Sequence, residues 1–137
     1  MKLSSLLRIN AILYVVTGIA FALYGPLMMA FFGILDTEGS AVIYWYAASF
    51  ARMFGGALFG FGFLLWAVSG GLAGKQFPEE TRRNTVLALI LSNFIALIIA
   101  LTQQTSIWGT LAGWIMVVVF LALLGGYALT LIRNTWD

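Results

Sequence analysis

Two residue types are missing from this 137-residue chain altogether, cysteine and histidine. Without cysteine there is no disulfide, no thiol nucleophile and no thiolate ligand. Without histidine the chain lacks the usual axial ligand of haem, the commonest metal ligand and the side chain that most readily moves protons near neutral pH. Charge is scarce as well. Only 9% of the residues are charged and 62% are apolar, whereas a soluble domain carries about 25% charged residues. A chain so poor in charge cannot cover a water-facing surface, so its outside must face lipid. The net charge of +2 does not signal nucleic acid, because the few cations sit beside helix ends and not along one face.

What is present is hydrocarbon in long runs, with a mean hydropathy of +1.01. A helix crosses the bilayer core in about 20 residues. The sequence predicts one all-α domain over 1–137, a bundle of four transmembrane helices at about 6–25, 43–68, 85–102 and 107–132. Lys2 and Arg8 flank the first run as in a signal peptide, but the run is longer than a signal core of about 7–15 residues and no small-x-small cleavage site stands out, so it reads as an uncleaved anchor. Gly25-Pro26 interrupts it, since proline has no N–H and biases its predecessor away from the helix. Leu27 to Leu35 is still apolar and either continues the first span past a kink or, the preferred reading because Leu6 to Tyr24 already suffices to cross, forms a short helix lying in the outer interface. Asp36 to Ser40 reads as a polar loop, Tyr44-Trp45-Tyr46 as an interfacial aromatic cluster, Ser69 to Arg83 as the longest polar connection, and Gln103 to Ser106 as a tight turn.

Orientation follows from the cations. Lys2, Arg8, Lys75, Arg82, Arg83 and Arg133 belong to one side, and the opposite loops hold no Lys or Arg. Short-loop Lys/Arg bias places that side in the cytoplasm. The expectation is a multi-pass protein of a bacterial inner membrane with both termini and the middle loop inside.

Lipid tails are as apolar as leucine, so membrane helices associate through close packing and polar contacts. Gly55, Gly56 and Gly60 in the second span, with the ridge Ala48–Arg52–Gly56–Gly60, and Gly109 with Gly113 in the fourth, are expected at packing faces, either inside the bundle or between copies. No strand precedes these glycines and no Walker lysine follows, so they are not a phosphate loop. Asn10, Tyr14, Thr17 and Tyr24 share one face of the first span, and Asn93 and Gln104 one face of the third. Both stripes are expected to face inward.

Arg52 is the one charge inside a span. It lies eight residues after Tyr44, about 12 Å along the helix. A central arginine costs about 2.5–3.5 kcal/mol on insertion scales and is by default a functional hypothesis. Three readings stand beside one another. Arg52 snorkels to the headgroups; or it clamps two helices; or it lines an outward-opening cavity for an anion, a lipid headgroup or a quinone carbonyl. Asp36, Glu38, Gln103, Gln104 and Tyr24 are its candidate partners, and Asn93 the cavity floor.

The segments Leu7-Arg8-Ile9-Asn10 and Ala51-Arg52-Met53-Phe54-Gly55-Gly56, with Trp66 further along, resemble the small four-helix membrane proteins of the DoxX-like group. That resemblance implies a quinone-linked redox or oxidative-stress setting, although the chain carries no cofactor motif. It differs from the small multidrug-resistance transporters, which place a glutamate mid-way in their first helix. With no nucleophile–base pair and no embedded carboxylate, the expected function is non-enzymatic and without cofactor. An accessory or assembly subunit of a membrane complex, or a homo-oligomer, is the first expectation. A lipid, quinone or small-ligand binding protein or carrier built around Arg52 is the alternative. The topology makes one direct prediction: a cysteine placed at Gln76 is modified by a membrane-impermeant maleimide only after the cytoplasmic face is opened, and labelling of intact spheroplasts overturns the orientation.

Overall fold

The computed structural model describes residues 2–36, 40–73 and 76–133. Glu38, Lys75 and Trp136, which enter the reading of the loops and ends, lie outside the described residues. The described chain is four long helices: α1 (Leu3–Phe31), α2 (Ala41–Ala73), α3 (Glu79–Gln103), continued by one π-helical turn (Gln104–Trp108), and α4 (Leu111–Arg133). All four are long and apolar enough to cross a membrane, and the chain is a multi-pass membrane protein. Large side chains such as Phe50, Met53, Ile115 and Ile132 stand exposed on the outside, the inverse of a soluble bundle. The starts of α1 and α3 and the ends of α2 and α4 share one end of the bundle, here called the cationic end after Lys2, Arg8, Arg82, Arg83 and Arg133.

Two boundaries depart from the sequence-based expectation. No separate interfacial helix follows Gly25-Pro26. Helix α1 kinks at Tyr24 (φ −118°, ψ 36°) and continues through Pro26 to Phe31. Proline removes one backbone hydrogen bond and crowds the preceding turn, which bends a long apolar helix without ending it. The helix ends instead at Gly33, in the left-handed region at φ 82°, where Gly33 N–H donates to Ala30 O and Ile34 N–H to Met29 O, the paired bonds of a Schellman stop. Likewise, Gln103 to Ser106 is not a turn but helix. Thr102 and Thr105 return their hydroxyls to carbonyls one turn back, so polar residues remain helical in an apolar setting. The reversal falls later, at Gly109 (φ 58°).

The helices form two antiparallel hairpins. In α1–α2 the backbones nearly touch. A Cβ on Gly18 would lie 2.8 Å from Gly55 O, one on Gly62 2.9 Å from Ala11 O, and one on Gly55 would collide with the backbone of Ala22. The small residues that allow this recur every seven positions: Ala11, Gly18 and Gly25 on α1, and Ala48, Gly55, Gly62 and Ser69 on α2, all buried. The expected i+4 ridge packs only in part: Ala48 is buried and the Arg52 stem crosses Gly25, but among the described residues nothing lies within 4 Å of a Cβ on Gly56 or Gly60. Steps of four drift about 40° each around a helix, whereas steps of seven drift about 20° and hold one face over several turns. Gly109 serves the turn, also with nothing near its Cβ position, and Gly113 leaves room for the Gln104 amide, which a Cβ there would strike.

The second hairpin, α3–α4, joins the first along α1 and α4, while α2 makes no extensive contact with α3 or α4. At the cationic end α1 is the central element. Leu3, Leu6, Leu7 and Ala11 are buried against Leu65 and Leu72 of α2, Val86 and Leu89 of α3, and Leu123 and Tyr127 of α4. Replacing Gly55 or Gly62 with Ala is expected to destabilise the fold by about 1–3 kcal/mol through overpacking against backbone. Gly56→Ala and Gly60→Ala are expected to be neutral or to stabilise by up to about 1 kcal/mol through helix propensity. Steric-trapping or denaturant titration in bicelles separates the two pairs.

Candidate functional site

At the cationic end a polar contact between helices pins the hairpins. Asn10 Nδ2 of α1 donates to Tyr127 Oη of α4 at 2.8 Å, and both side chains are fully buried. Toward the other end the hairpins part. The space between them is a cavity of about 400 Å³ touched by all four helices, within the roughly 300–1,000 Å³ range of small-molecule sites.

Its walls follow from residue size. Ala47 and Ala51 of α2 and Ala96 and Ala100 of α3 face the space, and four alanines at helix–helix distance leave a hollow that leucines would close. One wall is a chain of rings. Phe54 meets Phe21 edge-on at 5.9 Å, Phe21 stacks on Phe32 at 6.0 Å, and Phe32 lies 4.6 Å from Trp108. Met29, Met116 and Phe120 complete a lining that presents almost no polar surface. Trp108 is placed by the turn behind it. Gly109 N–H donates to Gln104 O at 3.1 Å, and Gln104 Nε2 donates to Thr110 O at 3.0 Å, so one residue closes the reversal with both its backbone and its side chain.

Beyond Phe32, Ile34 and Ala47 lies a second hollow of about 380 Å³ that shares these three residues with the first and adds Asp36, Ser40 and Tyr44. The space is therefore graded along its length, hydrocarbon inside and polar at the cation-free end.

The residues expected to form a site around Arg52 are not brought together. Arg52 is exposed, and its stem crosses α1 at Gly25, where a Cβ would lie 3.0 Å from Arg52 Cγ. Ala47, Ala51 and Phe54 face the cavity on one flank of the α1–α2 contact, and Arg52 lies on the other. Successive residues stand about 100° apart on a helix, so Ala51 can line the space while Arg52 turns to lipid. Tyr24 is 59% exposed at the kink. Asn93 is buried, but its amide donates to Leu89 O of its own helix at 2.8 Å, and it does not line the cavity. Gln104 is the keystone of the turn. Of the inward stripe on α1, Asn10 is buried and Tyr14 half-buried against Phe61 at 5.7 Å, and the kink turns Tyr24 outward.

Sequence reasoning missed Tyr127, Gly18 and the cavity walls, and saw Gly62 among the glycines of the second span without its seven-residue partners. The seven-residue spacing of Ala11, Gly18 and Gly25 and of Ala48, Gly55, Gly62 and Ser69 was the available signal for the close pair. Nothing local marks Ala47 and Ala100 as facing the same space. No family model, no curated protein and no solved structure matches this chain.

The Asn10–Tyr127 bond carries a modest energy. Membrane hydrogen bonds between helices average about 0.6 kcal/mol, with a maximum near 1.7. A double-mutant cycle of Asn10→Leu and Tyr127→Phe, read by unfolding in bicelles, is expected to give coupling inside that range. A coupling of zero removes the pin.

Proposed function

We propose that this chain is a non-enzymatic protein of the bacterial inner membrane, with both termini in the cytoplasm, that holds an apolar ligand between its two hairpins in the outer half of the bilayer. The observation that carries the reading is the cavity walled by Ala47, Ala51, Ala96, Ala100 and the rings from Phe54 to Trp108. An unfilled space of about 400 Å³ forfeits dispersion contacts on all its walls, and in a bilayer the neighbouring molecules are hydrocarbon chains. The likeness to the DoxX-like group implies a quinone as ligand. The near absence of polar surface in the lining favours a hydrocarbon chain over a quinone ring, whose carbonyls need donors. Arg52 then acts as a headgroup-facing side chain whose stem covers Gly25, in keeping with snorkelling.

A second reading rests on a different observation. Arg52, Gly56 and Gly60 share the other flank of α2, and among the described residues nothing covers either glycine. A GxxxG face open to lipid suits a helix of another subunit or a second copy, which is the accessory-subunit or homo-oligomer reading.

The test is native mass spectrometry after extraction in mild detergent. The wild type is expected to retain one aliphatic molecule per chain. Ala51→Leu and Ala96→Phe, which fill the space, are expected to lose it while remaining folded by gel filtration and thermal unfolding. Unchanged retention by both variants overturns the cavity as the site. Loss of a stoichiometric protein partner on Gly56→Leu with Gly60→Leu, and not on Ala96→Phe, supports the second reading.

A further inference from the structure

Resting on that reading, we infer that the preferred occupant is a single-chain amphiphile with a cationic headgroup, its tail among the alanines and aromatic rings and its head at Asp36. Three features of the space carry this. First, polarity changes once along it. The deep part presents almost no polar surface, and the adjoining part, reached past Phe32, Ile34 and Ala47, adds a carboxylate, a hydroxyl and a phenol from Asp36, Ser40 and Tyr44. A molecule matched to both parts is apolar at one end and polar at the other. Second, the space is small. The deep part, which Phe21, Phe54, Ala96 and Ala100 help to line, holds about 400 Å³, the low end of the range for small-molecule sites. Third, the charge has one sign. Asp36 is the only charged side chain among the described residues lining either hollow. The cations Lys2, Arg8, Arg82, Arg83 and Arg133 belong to the opposite end, and Arg52 to the other flank of the α1–α2 contact. An anionic head at this mouth meets a carboxylate and no countercharge, while an ammonium meets a partner. Tyr44, half-buried at the same mouth, adds an aromatic face, and such faces attract ammonium groups.

The exposed position of Asp36 bounds the effect. Ion pairs with such solvent access correspond to at most about a five-fold change in binding, so the head selects and the tail binds.

The experiment uses the full chain in nanodiscs of uncharged lipid, in a background where Trp45, Trp66, Trp114 and Trp136 are Phe and only Trp108 reports. Three probes share one alkyl chain brominated at its far end and differ in the head: trimethylammonium, alcohol and carboxylate. Bromine quenches indole emission on contact, so each titration reads arrival of the tail beside Trp108. The ammonium is expected to quench at the lowest concentration, the alcohol at up to about five-fold higher and the carboxylate highest of the three. Asp36→Asn is expected to bring the ammonium to the alcohol's value and leave the alcohol unchanged. Ala96→Phe, with Ala51→Leu as a second cavity-filling variant, is expected to abolish quenching by all three. Equal affinities for the three heads, or an ammonium preference that survives Asp36→Asn, overturn the headgroup assignment and leave the apolar site standing. Quenching that survives in whichever cavity-filling variant folds overturns the site itself, and this inference with it.

Discussion

The near-contact of the α1 and α2 backbones is the constraint on which the rest of the structure depends. Two helices with ordinary side chains at their interface stand about 8–10 Å apart. Here Gly18, Gly55 and Gly62 bring carbonyls and amides of one helix to within van der Waals reach of the other. In lipid, where burying leucine against leucine gains little over leucine against acyl chain, such close approach is what holds helices together. It also fixes rotation. With Gly55 and Gly62 turned to α1, Ala47, Ala51 and Phe54 must face the second hairpin, and Arg52, Gly56 and Gly60 must face away. The cavity wall and the outward position of Arg52 are thus two results of a single rotational choice.

Polar groups divide the bundle along its length. Backbone and side-chain donors in hydrocarbon must find acceptors inside the protein, and most here do so locally: Ser69 to Trp66 O, Asn93 to Leu89 O, Thr130 to Gly126 O. Such bonds keep a helix intact and join it to nothing. The bond from Asn10 to Tyr127 is different, since it spans helices at opposite ends of the sequence. It sits where α1 is surrounded by the other three helices. Toward the cation-free end the inter-hairpin contacts are aromatic, ending in Phe32 against Trp108, and the cavity lies between the hairpins.

Architecture was readable from the sequence because it depends on composition and run length. Four apolar stretches separated by polar or glycine-bearing segments leave one solution. Helix ends were less readable. Pro26 bends α1 without stopping it, and Thr102 and Thr105 stay helical by bonding their own backbone, so residues that signal a break in water do not in lipid. The glycine reading met the α1–α2 contact at Gly55 but not at its i+4 neighbours. A GxxxG pair is conspicuous in α2, yet the contact uses the seven-residue set, which shows only when Ala11, Gly18 and Gly25 are compared with Ala48, Gly55 and Gly62. The site was least readable of all. Arg52 drew attention as a charge among apolar residues, but a cavity made by missing volume at Ala47, Ala51, Ala96 and Ala100 carries no chemical flag. Its existence depends on tertiary distance alone.

The attachment of the hairpins along a single edge has a consequence for how the space is reached. Each hairpin completes its closest contacts within itself, so the two need not come apart internally when they move relative to each other. The α1–α4 contact is the spine, and the unpacked edges of α2 and α3 are the pages. On the proposed ligand reading, a molecule dissolved in the bilayer passes between those edges sideways, its tail remaining in hydrocarbon throughout. On that reading no aqueous gate is required, the solvent that governs exchange is the membrane, and a stiffer or thicker bilayer slows exchange without any change in the protein.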